Sequence, residues 1–186
     1  MNFSSSIART AKCLALFLRD RRGVSAVEFA ILLPVMVTLY LGSVEASQGL
    51  ATNRKVTLTA HALADLATQY TDITNADMTN ILNAGSAIIV PYSASTLQEV
   101  VSELAIDSQG QATVVWSDTR NGTVRAVGQI VNVPTSLAVP NTYLVLAEVQ
   151  YGYDPVYGYV MTGTMTLNDQ SFMHPRQSAS IARTAS

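Results

Sequence analysis

From Val24 to Val44 the chain reads Val-Ser-Ala-Val-Glu-Phe-Ala-Ile-Leu-Leu-Pro-Val-Met-Val-Thr-Leu-Tyr-Leu-Gly-Ser-Val, and Glu28 is the single charged residue in that run. About 20 such residues, rising 1.5 Å each along a helix, cross the hydrocarbon of a bilayer. Lipid offers no hydrogen bonds to a backbone, so a run of this kind is constrained to be a helix. Pro34 sits in its middle, removes one backbone donor and predicts a kink there. The run also explains a composition that is 48% hydrophobic and only 13% charged.

Charge is distributed unevenly about this segment. Arg9, Lys12, Arg19, Arg21 and Arg22 precede it with only Asp20 against them, whereas Arg54 and Lys55 are the nearest cations beyond it. That bias places the N-terminus on the cytoplasmic side. Residues 1–23 read as a basic leader, whose apolar patch Leu14 to Leu18 is too short to span lipid. The sequence after Gly23 carries every acid except Asp20 and is mildly acidic. It lacks the basic footprint that binding to nucleic acid requires. Cys13 is the lone cysteine and lies in the leader, so the rest of the chain has no disulfide and no cysteine ligand for a metal.

The remaining sequence predicts an α+β domain. Residues 46–72 contain no proline, and Val56, Leu63 and Tyr70 recur at heptad spacing with Leu66 beside them, so the membrane helix of 24–45 continues outward. Thr74 and Asp77 form a capping pair that opens a short second helix through Met78, Ile81 and Leu82, with Gly85 as its expected end. Alternation at Val100 to Ile106, turn chemistry at Ser108-Gln109-Gly110 and the β-rich Ala112 to Trp116 predict a hairpin, although Leu97, Val100, Val101 and Leu104 also fit a helical face. Further strands are expected at Gln129 to Val133, Thr142 to Tyr153 and between Gly163 and Phe172, closing an antiparallel sheet within a domain of residues 73–176. Residues 177–186 read as a flexible small-residue tail.

The run Arg19-Asp20-Arg21-Arg22-Gly23-Val24-Ser25-Ala26-Val27-Glu28-Phe29 joins a basic patch, a glycine and an apolar helix with a carboxylate at its fifth position. This resembles the processing site of type IV prepilins, and the fuller run through Pro34 resembles the TadE-like family of Tad (Flp) pilus assembly proteins. The resemblance implies a pilin-like fold. It also implies that a membrane-embedded aspartic prepilin peptidase cuts between Gly23 and Val24, and that the product is a minor pilin or pseudopilin acting in pilus biogenesis, adherence or secretion. Its implied partners are that peptidase, other Tad pilins or pseudopilins and the inner-membrane assembly platform. A glycine at the cut weakens the helix and permits close approach of a protease to the backbone.

Glu28 is the residue of greatest functional interest. A carboxylate at mid-bilayer costs about 2.5–3.5 kcal/mol on insertion scales, so a partner is expected, although near the cytoplasmic end it could also reach the headgroups. Cleavage would free the amine of Val24, roughly 6–7 Å away along the helix axis. That amine, on the same or a neighbouring subunit, is the expected partner.

A looser resemblance runs from Asn132 to Pro155, where Tyr151-Gly-Tyr153-Asp-Pro155 is similar to a Tyr-x-Tyr-x-Pro stretch late in TadE-like proteins. His174-Pro175-Arg176 is similar to an Arg-Pro-Arg near their ends, with His174 in place of the first arginine.

Other classes find less support. A secretory signal cut before Ser47 would release a soluble product, but the helical pattern runs through that site. His61 and Asp65 are four apart on one helix, and Glu99 and Glu103 share a strand face; a solvated surface is the expected setting of both pairs. With no nucleophile elbow, HExxH, phosphate loop or CxxC, the expectation is a protein without catalytic residues, cofactor, metal or small-molecule substrate. Tyr151 with Tyr153, and Tyr157 with Tyr159, are spaced two apart, which puts each pair on one strand face; buried sheet packing is the main expectation and a subunit-contact surface the alternative. The alternative function is an unprocessed, membrane-anchored periplasmic scaffold or binding protein of the same apparatus.

Overall fold

The computed structural model describes residues 23–155 and 163–184. The basic leader, Tyr157 and Tyr159 lie outside the described residues. The chain divides into two compact units, one ending at Val44 and the other running from Glu45 to Ser186.

Helix α1 spans Val24–Ala67. In the first unit it is a bare rod in which every residue from 23 to 40 is exposed. Its best window has a mean hydropathy of 2.0. Helix continues through Pro34, and the Thr38 hydroxyl donates to the Pro34 carbonyl at 2.8 Å. An exposed surface of this kind has no stable setting in water and meets the length and composition of a membrane span.

In the second unit α1 alternates between buried and exposed faces. Val56, Ala60, Leu63, Ala64 and Ala67 are buried, at spacings that follow one helix face. The predicted heptad positions fall on or beside it, since Val56 and Leu63 are core residues while Leu66 and Tyr70 pack against the core partly buried. After β1 (Asp72–Ile73) comes α2 (Asn75–Ile89), opened by a capping box in which Thr74 and Asp77 satisfy each other's backbone N–H groups. Gly85, expected as the end of this helix, is instead internal to it and buried. The far end is closed from α1, where Lys55 Nζ donates to the carbonyls of Ile88 at 2.9 Å and Val90 at 2.7 Å.

The sheet is antiparallel, with β2 (Leu97–Ile106), β3 (Ala112–Arg120), β4 (Ile130–Val131), β5 (Tyr143–Tyr153) and β6 (Met165–Met173) in the order β4-β3-β2-β5-β6. The predicted hairpin is β2–β3, turned through Gly110 at φ 82°. A bulge between Glu103 and Leu104 leaves Val115 without a cross-strand partner, because Glu103 pairs with Trp116 and Leu104 with Val114. That extra residue reverses the facing of β3 and lets both sides of the sheet carry a core. On one side Leu97, Val101, Trp116, Val145, Ala147 and Val149 pack with the helices. On the other, Leu104, Ile106, Val114, Leu144 and Leu146 gather beneath Val133, Leu137 and Phe172.

Within the segment expected as a flexible tail, residues 177–184 differ from that expectation, and residues 185–186 lie outside the described residues. Ile181 is a core residue, and β7 (Ala182–Arg183) pairs in parallel with β1. Two isolated residues at each end of such a pair carry no periodicity, so the pairing has no signature in the sequence.

Candidate functional site

Two places hold side chains whose setting calls for explanation. The first is the start of α1. Gly23, Val24, Glu28 and Phe29 are all exposed, and a Cβ built on Gly23 meets nothing within 4 Å. Among the described residues, neither the backbone at Gly23–Val24 nor the side chain of Glu28 is covered by the rest of the chain. Pro34 lies three turns further along the same exposed helix.

The second place is the face of β2 that meets the helices. Glu99 is 0% exposed and Glu103 1%. This corrects the expectation of surface charge: alternation placed both acids on one strand face, and that face is the one covered by α1 and α2. Glu103 is well provided for, since its Oε1 accepts the Ile181 N–H at 2.6 Å while the Trp116 indole donates to the Ile181 carbonyl at 2.8 Å. Burial raises its pKa, and the bonds from Ile181 and Trp116 oppose the rise. Glu103 and Trp116 together hold the segment that leads into β7.

Arg183 extends the hold, donating from Nε to Asp118 at 2.6 Å and from Nη2 to Asn75 at 2.7 Å. At the other end of the segment Arg176 pairs with Asp65 at 2.5 Å. The predicted neighbours His61 and Asp65 therefore have separate partners, because His61 Nδ1 shares a hydrogen bond of 2.9 Å with the Ser171 hydroxyl. Thr57 also donates to Asp169, so both bonds fasten β6 to α1. His174 meets the Tyr143 carbonyl through Nδ1 at 3.2 Å.

Tyr151 and Tyr153 are 5% and 3% exposed within the helix-side core. Their rings are sheet packing, which removes these two from the alternative of a subunit-contact surface. On the opposite face of the sheet lies an open cleft of about 720 Å³, lined by Gln98, Gln150, Asn168 and Gln170 beside Arg125 and Glu148. Its ion pair is satisfied within itself, with Arg125 donating twice to Glu148 at 2.6 Å.

Among known proteins, no curated protein and no solved structure matches the chain. A family model described as TadE-like protein matches residues 23–65. The match covers the exposed helix from the glycine before it and reaches into the buried face of α1; it does not extend to the later stretches at 132–155 and 174–176. The chain thus carries a TadE-like segment at residues 23–65, followed by its own α+β domain.

Proposed function

We propose that this chain is a minor pilin or pseudopilin of a Tad (Flp) type pilus assembly system, without catalytic activity of its own. The observation that carries the reading is the coincidence of the TadE-like match, residues 23–65, with an apolar helix whose residues 23–40 are exposed throughout. In this reading the helix rests in the inner membrane with its N-terminus cytoplasmic and its domain in the periplasm. A prepilin peptidase cuts between Gly23 and Val24, and the freed amine of Val24 pairs with Glu28 of the same or a neighbouring subunit. On leaving the bilayer the helix exchanges lipid for contacts with other subunits' helices, a replacement of one apolar neighbour by another. The assembly platform and the other pilins are the partners.

Intact mass of the protein extracted from membranes tests this directly. A product beginning at Val24 is expected. Retention of residues 1–23 would favour the alternative, an uncut anchored scaffold of the same apparatus. Gly23→Leu should leave the precursor untrimmed, and normal trimming of that variant would remove the peptidase from the account.

A further inference from the structure

Glu99 occupies the junction of three elements, and neither of its carboxyl oxygens has a hydrogen-bond partner among the described residues. Room for it exists because α2 has a glycine there: a Cβ on Gly85 would lie 1.7 Å from Glu99 Oε1 and 3.1 Å from Thr59 Cγ2 of α1. Across the sheet it faces Val149 of β5.

The charged groups around it are committed elsewhere. Arg120 of β3 brings Nη1 within 3.9 Å of Glu99 Oε2, but that nitrogen donates to the Leu82 carbonyl at 2.9 Å and the Ser86 hydroxyl at 2.7 Å. Its Nη2 donates to Asn83 at 2.7 Å. Lys55 of α1, one turn before Thr59, is held by the carbonyls at the end of α2. Asp77, the single charged residue of α2, lies in its first turn. Asp118 of β3 is bound by Arg183, Glu103 of β2 by Ile181, and Glu148 of β5 by Arg125 in the cleft on the other face.

We propose that Glu99 is a proton-operated latch between α2 and the sheet: neutral, it lies quietly against Gly85, and ionised, it draws Arg120 off the Leu82–Ser86 stretch and releases the C-terminal half of α2. A buried carboxylate without hydrogen bonds is costly, and the cost falls when a cation turns toward it or water enters. Arg120 is near enough to turn. Both hydrogens of Nη1, the nitrogen nearest Glu99, are given to Leu82 and Ser86, so a direct bond from it to the carboxylate requires one of those contacts on α2 to be given up.

Burial pushes the Glu99 carboxyl from 4.5 up to about 7, with Arg120 pulling the other way. The closed form therefore holds its proton more tightly than an opened, solvated form. Closure is favoured fully below 4.5, loses ground as pH rises, and has lost the whole contribution once pH passes about 7.

Hydrogen exchange on the full chain in detergent, corrected for intrinsic rates, tests the latch. Protection of the amides of residues 85–89 should fall by up to about tenfold per pH unit between about pH 5 and about pH 7 and then level off, while β5 amides keep theirs. Glu99→Gln should abolish that slope. Protection of α2 independent of pH, or an unchanged slope in Glu99→Gln, would overturn the proposal. Should the variant fail to fold, carbon NMR of the wild-type Glu99 carboxyl decides: a group still protonated near pH 6 supports the latch, and ordinary titration near 4.5 rejects it.

Discussion

Glycine in the interior of a helix is normally about 1 kcal/mol worse than alanine. At position 85 the order reverses, since the added methyl group would fall within bonding distance of the Glu99 carboxyl. Gly85→Ala should destabilise the domain by about 1–3 kcal/mol, the usual cost of overpacking, in thermal unfolding of the full chain. Glu103 poses the opposite problem, because its removal leaves a void and strips the Ile181 N–H of its acceptor. Glu103→Ala should cost about 1–3 kcal/mol for the orphaned donor alone, together with rapid exchange of the Ile181 amide. For Glu28→Ala the expected result is normal membrane insertion with impaired pilus assembly. Unchanged piliation would exclude pairing between Glu28 and the Val24 amine.

At the scale of elements, the sequence was most informative where one pattern repeats over many residues. The apolar half of α1, the Thr74 cap of α2, the β2–β3 hairpin and the long β5 were each visible in period, capping or turn chemistry, and each is present. Three features were not visible because their causes are remote in the chain. Gly85 looked like a helix stop because the acid that requires it is on β2. The buried face of β2 was ambiguous, since alternation at 99, 101 and 103 does not say which side the helices will cover. The β1–β7 pair is too short for any periodicity, and its anchor, Ile181, is one isolated apolar residue among small ones. At the start of α1 the glycine, acid and apolar run were legible as a constellation, while exposure of the whole rod follows from the structure. Truncation of residues 177–186 measures the strap formed by β7. Loss of the buried Ile181 side chain alone should cost about 1.5–3 kcal/mol, and Trp116, the single tryptophan, should report it as a red shift in emission.

For the whole molecule, the titratable groups set a stability profile that leans toward acid. Burial raises Glu99 to about 7 and raises Glu103 as well, so both contributions are present in full at low pH and decline as pH rises through the folded values. Asp77 acts with the opposite sign, because the Thr74 hydroxyl and backbone N–H lower its pKa; its contribution appears above 3.8 and is lost as pH falls. The unfolding midpoint should therefore peak in mild acid and drop toward neutrality. Raising Glu99 from 4.5 to about 7 corresponds to about 3 kcal/mol across that window, and Glu99→Gln should flatten the decline by a comparable amount. A midpoint that instead climbed steadily from mild acid to neutral pH would contradict this assignment.

The seat of Ile181 has a bearing on timing. A polypeptide emerges from the ribosome N-terminus first, and here residues near 73, 103 and 116 wait for a strand centred on 182 before their polar groups and cavity are filled. Every such contact joins distant parts of the chain, the kind of pairing that closes slowly. The leading helix can thus form well before the trailing domain closes, and a chain halted short of residue 181 lacks the group that Glu103 and Trp116 hold.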